Sequence, residues 1–167
     1  CYKALEGVEL AAIADIREEK ATALAEGTNA KIYGDGKDLI ANADVDIIDI
    51  CLPTFLHTEY SVKAMEKGCH VFCEKPDAVS VEEVLKMQRA QEESGKVLMV
   101  MRNNRYLLTS SYLKKYIDSG AMGEIYAARC GWQRRRGIPG KGGWFTTKEQ
   151  SGGGPLIDLG VHMIDLT

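Results

Sequence analysis

The sequence predicts an α/β fold, a doubly wound parallel sheet that runs on into a second, smaller segment. Three observations carry this expectation. Strand-like and helix-like stretches alternate from residue 8 to residue 101, and such alternation builds a parallel sheet with helices on both faces. The strand-like stretches are near-continuous apolar runs, as strands buried on both sides require. Their C-terminal ends carry Asp15, Pro53-Thr54 and Glu74-Lys75-Pro76, and sheets of this kind bind ligands beyond the carboxyl ends of their strands.

The elements follow in order. Val8 to Asp15 (VELAAIAD) is an apolar run ending in an acid. Arg17 to Glu26 is rich in Ala, Glu and Lys, and predicts a helix stopped by Gly27. A short helix follows over Asp38 to Asn42. Asp46 to Leu52 (DIIDICL) predicts a strand stopped by Pro53-Thr54, and Phe55 to Lys67 an amphipathic helix closed by Gly68. His70 to Glu74 alternates as a strand. Ser80-Val-Glu-Glu83 matches a capping box and predicts a helix to about Ser94, with Gly95 as its stop. Val97 to Met101 is the last strand of this series. A domain boundary is expected near residue 102, giving domains over 1–102 and 103–167. Beyond it, Leu108 to Ser119 predicts a helix and Glu124 to Gln133 a strand. Residues 134–154 are loop-like, with Arg134-Arg-Arg-Gly137 and Gly140-Lys-Gly-Gly143, and Pro155 to Leu166 predicts a helix with proline in its first turn.

Composition narrows the function classes. The net charge is −3, so the chain as a whole does not attract nucleic acid or anionic lipid. No apolar run approaches the ~18 residues of a membrane span, and no signal peptide is visible. Arg134 to Arg136 beside Trp132 form a local basic cluster, for which a solvated strand end is the simpler account than a nucleic-acid contact. The five cysteines, an odd number set mostly in apolar strands, suit reduced thiols in the cytoplasm. Cys69 and Cys73 flank His70, but alternation turns His70 away from both, and no second Cys/His pair completes a metal set. No metal is expected. The chain begins at Cys1 rather than Met, so an upstream segment is expected.

The chemistry gathers at four places. Asp15, at a strand end, suits either hydrogen bonds to an adenosine ribose, as in dinucleotide-binding βαβ units, or capping of the helix that follows. An acid there would repel a 2′-phosphate and favour NAD over NADP, a preference that the nearby Arg17 weakens somewhat. Lys75 sits on backbone stiffened by Pro76, where a surface lysine and a substrate-facing cation are the alternatives. His57, just after Pro53-Thr54, faces the same edge as a cofactor or substrate contact or as a helix-start histidine. Asp158 and His162 share a helix face at i, i+4. A carboxylate there can fix an imidazole tautomer and raise its basicity for proton transfer. Gly152-Gly-Gly154 ahead of them admits close approach of a ligand. Asp165 is read as a solvated or capping group, and Trp144 as a sugar-stacking or loop-anchoring ring. No G-x-G-x-x-G phosphate loop occurs in the chain.

Together these residues resemble the Gfo/Idh/MocA oxidoreductases, the relatives of glucose-fructose oxidoreductase and inositol dehydrogenase. Cys51-Leu-Pro-Thr-Phe-Leu-His57 is similar to the family's T-P-x-x-x-H turn, with Leu52 where Thr is frequent. Ala64 to Pro76 (AMEKGCHVFCEKP) resembles its A-L-x-x-G-k-H-V-x-x-E-K-P signature. Ser151 to His162 (SGGGPLIDLGVH) is similar to its G-G-G-x-x-x-D-x-G-x-H helix, and Asn103-Asn-Arg-Tyr106 to its segment after the last cofactor-domain strand. The resemblance covers essentially the whole chain. It implies a Rossmann-type cofactor domain lacking its first strand and glycine loop, followed by the start of an α+β substrate domain, so that the chain is an internal fragment of a longer enzyme. It also implies hydride transfer between NAD (less so NADP) and a secondary alcohol of a sugar, inositol or related polyol. Lys75, Asp158 and His162 would be catalytic. Asp15, Leu52, Pro53, Thr54, His57 and Glu74 would bind the cofactor, and Arg105 and Trp144 would contact the substrate. The full-length protein would be a homo-oligomer. The alternatives on the same fold are an NAD-using lyase or glycosidase with transient oxidation, and a non-catalytic sugar or dinucleotide sensor.

Overall fold

Every strand pair is parallel, and the pairs fall into two pieces. The structure, a computed structural model, describes residues 2–133, 135–137 and 142–167. Cys1, Arg134, Gly140 and Lys141, singled out above, lie outside the described residues. One piece pairs β1 (Ala12–Ala14) with β2 (Lys31–Tyr33); the other has the order β3 (Ile47–Ile50), β4 (His70–Cys73), β5 (Leu98–Val100). The break falls between β1 and β3. A doubly wound sheet whose first strand lies upstream predicts a break there, because that strand runs centrally, between the second and the fourth.

Helices α1 (Glu18–Ala25), α2 (Gly36–Asn42), α3 (Thr54–Lys67) and α4 (Val81–Ser94) fill the alternation. Their ends obey local rules. The Ser80 hydroxyl accepts a hydrogen bond from the Glu83 N–H at 3.3 Å, as the capping box predicts. Gly68 ends α3 at φ +98°, a left-handed conformation that favours glycine. Strand β2, by contrast, was not predicted: it is three residues long, and two of the three are exposed.

Alternation along β3 to β5 divides the three-stranded piece. Ile48, Ile50, Val71 and Cys73 point to one face and are buried against α3, where Ala64 and Met65 complete the core. Burying each of the larger side chains is worth roughly 1.5–3 kcal/mol. The row Asp49, Phe72, Met99 lies on the opposite face by register, and Ile47 and Met99 are exposed there. The expectation of helices on both faces is therefore met on one face of this piece only.

After Arg102 the packing thins. Helix α5 (Leu108–Asp118) is amphipathic with no buried residue. The strand expected over 124–133 does not form: the segment has no regular secondary structure and Tyr126 is 94% exposed. An alternating run becomes a strand only beside a partner that satisfies its ladder, and no described strand runs beside it. The helix expected from Pro155 starts as a π-helical turn over Leu156–Gly160 and continues as α7 (Val161–Asp165), preceded by the short α6 (Lys148–Ser151). Among the described residues, no helix is long and apolar enough to cross a membrane.

Candidate active site

Strand β4 delivers Glu74-Lys75-Pro76 at its carboxyl end. The Lys75 N–H donates to Glu74 Oε2 at 3.1 Å, and the Lys75-Pro76 peptide is cis. The Lys75 ammonium donates to Asp158 Oδ1 at 2.6 Å and to the Asp158 carbonyl oxygen at 2.9 Å. These side chains are 17% and 24% exposed, so the pair is screened from water without being sealed from a ligand. An ammonium has three N–H donors; two are engaged, which leaves one for a substrate oxygen.

His162 lies one turn beyond Asp158 and is 7% exposed, with Nδ1 buried and without a hydrogen-bond partner. Its ring meets Trp132 edge-on, with centroids 6.5 Å apart. Burial pushes the imidazole pKa below its ordinary value. The Lys75 and Arg102 charges push the same way, and Asp158 and Asp165 oppose them. The net shift is thus downward, although the sign expected for Asp158 holds. Asp158 does pull the pKa upward, but its carboxylate bonds Lys75, and desolvation outweighs it. The π-helical turn also departs from the α register that the i, i+4 argument assumed. The result is a buried imidazole of lowered proton affinity.

His57 is 1% exposed and sits between two turns. Its Nδ1 lies 2.9 Å from the Pro76 carbonyl and its Nε2 2.8 Å from the Leu52 carbonyl. Both partners are acceptors, so a neutral ring donates to one of them at a time. Its ring thus ties the Leu52-Pro53 turn to the loop after Lys75. Thr54, first residue of α3, is 1% exposed, and its Oγ1 has no hydrogen-bond partner. Asp15 stands just beyond β1. Its Oδ1 accepts the Arg17 backbone N–H at 2.9 Å and Nε at 3.3 Å, which lower its pKa, the backbone bond most.

Two predicted substrate residues are placed differently. Trp144 stacks on Phe145 with centroids 3.7 Å apart. The Arg105 guanidinium donates to Asp165 through Nε and Nη2, at 2.8 and 2.6 Å. Asp165, expected to be solvated or capping, has a side chain only 7% exposed, with Arg102 Nε also 3.7 Å away. Arg102 in turn donates to Asp77. Asp77, Arg102 and Asp165 are far apart in sequence, and no spacing rule links them.

Gly152 has φ +79°, and a Cβ there would lie 2.8 Å from Val79 Cα. The glycine serves packing against the loop after Lys75, where a ligand approach had been expected. His70, at the start of β4, accepts the Val97 N–H at Nδ1, 3.0 Å away. The Cys73 thiol is pushed up to about 12, chiefly by burial, which disfavours a metal-binding thiolate. Among the described residues, no cluster of His, Cys, Asp and Glu has the makings of a metal site.

Comparison with known proteins identifies the family and agrees with the fold. A model described as the oxidoreductase family with an NAD-binding Rossmann fold matches residues 2–102, and the GFO/IDH/MocA C-terminal domain matches residues 111–167. The chain is 39% identical over 165 residues to D-glucoside 3-dehydrogenase of Escherichia coli K12, covering 98% of this chain and 47% of that protein. It is 34% identical over 129 residues to inositol 2-dehydrogenase 3 of Saccharopolyspora erythraea, covering 77% and 38%. A solved levoglucosan dehydrogenase in complex with NADH and levoglucosan superposes with a TM-score of 0.79 at 30% identity, over 95% of this chain and 44% of that one. The chain spans about half the length of the D-glucoside 3-dehydrogenase it matches. On these matches and the residues that carry them, the chain belongs to the GFO/IDH/MocA oxidoreductase family, with an NAD-binding Rossmann fold.

Proposed function

We propose that the full-length protein is an NAD-dependent dehydrogenase that oxidises a secondary alcohol of a sugar, inositol or related polyol. One observation carries the reading: the Lys75 ammonium is held by Asp158 at 2.6 Å, with the buried imidazole of His162 on the next turn. A cation at a strand end and a buried imidazole of lowered proton affinity on the facing helix suit proton removal from an alcohol. The names of the relatives, dehydrogenases of a glucoside, an inositol and levoglucosan, support the same substrate class.

A nicotinamide dinucleotide fits the residues present. Thr54 Oγ1 is a buried oxygen awaiting a partner, and both Arg17 bonds to Asp15 fall on Oδ1. Asp15 would hold the adenosine ribose, and Leu52, Pro53, Thr54 and Glu74 the nicotinamide side, with His57 fixing the Leu52 turn behind them. The cofactor supplies the hydride acceptor. Lys75 donates its remaining N–H to the alcohol oxygen and stabilises charge developing there. His162 accepts the hydroxyl proton, help worth on the order of 10²–10⁴-fold. Asp158 holds the ammonium in place. The Asp15 carboxylate disfavours a 2′-phosphate, so NAD is preferred to NADP. The same reading takes the full-length protein to be a cytoplasmic homo-oligomer.

The test is a spectrophotometric screen of the full-length protein with NAD and NADP over polyols, hexosides and anhydrosugars. Substrate-dependent NAD reduction is expected. A cleaved product without net reduction, or binding without turnover, overturns the reading.

A further inference from the structure

We propose that Arg102 is a positioning residue, a latch that ties the helix of His162 to the loop of Lys75 and so sets the two groups against one substrate; this rests on the function proposed above. Arg102 directly follows Met101, whose N–H is pinned to the Cys73 carbonyl at 2.7 Å, so its backbone is anchored to the end of β4. From there the guanidinium reaches three ways. It donates to its neighbour's carbonyl at 3.2 Å, to Asp77 on the loop after Lys75-Pro76, and lies 3.7 Å from Asp165 on α7. The Arg102 side chain is 19% exposed and that of Asp165 is 7% exposed.

A carboxylate so deeply buried persists only with cationic partners. Asp165 has two, since Arg105 also binds it, through both carboxylate oxygens. Asp165 is three residues beyond His162, so fixing it fixes the rotation of α7 and the direction of the imidazole. Arginine suits the role because its planar fork presents several donors in fixed directions, which a lysine cannot reproduce. The charges facing His162 come from Lys75, Asp158, Arg102 and Asp165, and Arg102 acts to depress its proton affinity.

The experiment uses the full-length protein with Arg102→Gln, Arg102→Lys, Asp165→Asn and the double variant Arg102→Gln/Asp165→Asn. Small misplacements of reacting groups can cost up to about 100-fold, so each single glutamine or asparagine variant is expected to lower kcat roughly 10–100-fold. The double variant should lose less than the product of the two single losses, because both remove the shared Arg102 and Asp165 contact. Arg102→Lys should recover part of the loss. NAD affinity by fluorescence titration should stay within about twofold, since the latch acts on His162 and not on the dinucleotide. NMR titration of the cofactor-free protein, with His162 assigned through His162→Gln, should show its pKa raised in Arg102→Gln. Multiplicative losses in the double variant, NAD affinity falling in parallel with kcat, or an unmoved His162 titration would each overturn the proposal. If Arg102→Gln fails to fold, kcat and NAD affinity of Arg102→Lys and Asp165→Asn decide.

Discussion

The segment from β3 to β5 and the segment after Arg102 are held in place by different forces. The first owns nearly the whole apolar core: Ile48, Ile50, Ala64, Met65, Val71 and Cys73 are all buried there. In the second, the only described buried residues are Ser151 and His162, both polar. It docks through the Lys75 and Asp158 pair, the close packing of Gly152 on Val79, and the arginines around Asp165. Burial is undirected and scales with area, whereas ion pairs and hydrogen bonds fix direction. The contrast teaches that apolar burial is concentrated in one segment, while the contact between both is made by directed polar groups.

Damage should therefore separate by segment. The largest effect is expected for Lys75→Ala or His162→Ala in the full-length protein, which should lower kcat by at least ~100-fold while thermal unfolding shifts little; near-normal turnover in both would break the comparison. Met65→Ala should do the converse. Met65 is 1% exposed, and its truncation should cost about 2–5 kcal/mol in denaturant unfolding, with kcat of the folded fraction retained. Gly152→Ala forces a Cβ to within 2.8 Å of Val79 Cα at a left-handed φ, a strain of about 1–3 kcal/mol. Its effect should appear in kcat more than in unfolding of the β3 to β5 core.

The pH dependence sharpens the same point. The folded state lowers the proton affinity of His162, so the acid limb of kcat/KM should fall below the ordinary imidazole value of about 6.5. The sign for stability follows. Between the two pKa values the unfolded chain binds the proton more readily, so stability present above about 6.5 is lost as pH falls through the folded value. A limb above that value would mean His162 is paired rather than desolvated. The smallest effect is expected for Ser80→Ala, which removes the side-chain cap of α4 and touches neither Lys75 nor His162. It should cost about 1 kcal/mol and leave the pH profile untouched.

Much of this was legible in the residues. The capping box at Ser80 and the glycine stops at Gly68 and Gly95 are local devices, and each sits where the pattern predicts. Strands β3, β4 and β5 announce themselves by apolar runs. Strand β2 escaped because three residues, two of them exposed, carry no periodic signal. The run over 124–133 misled because alternation describes a face and cannot supply the neighbour that face needs. At the site, Lys75, Asp158 and His162 stood out by their motifs. Asp165 and Arg102 did not, since their role lies in a meeting of distant segments.

The order of residues alone thus settles the alternation of strands and helices, their caps and the chemical groups at the strand ends, because these depend on neighbours within a few positions. Tertiary structure alone decides which acid meets Lys75, that His57 bridges two turns through backbone carbonyls, and that desolvation lowers the proton affinity of His162. Those outcomes depend on distance and burial between segments far apart in the chain, where electrostatic energies change most steeply.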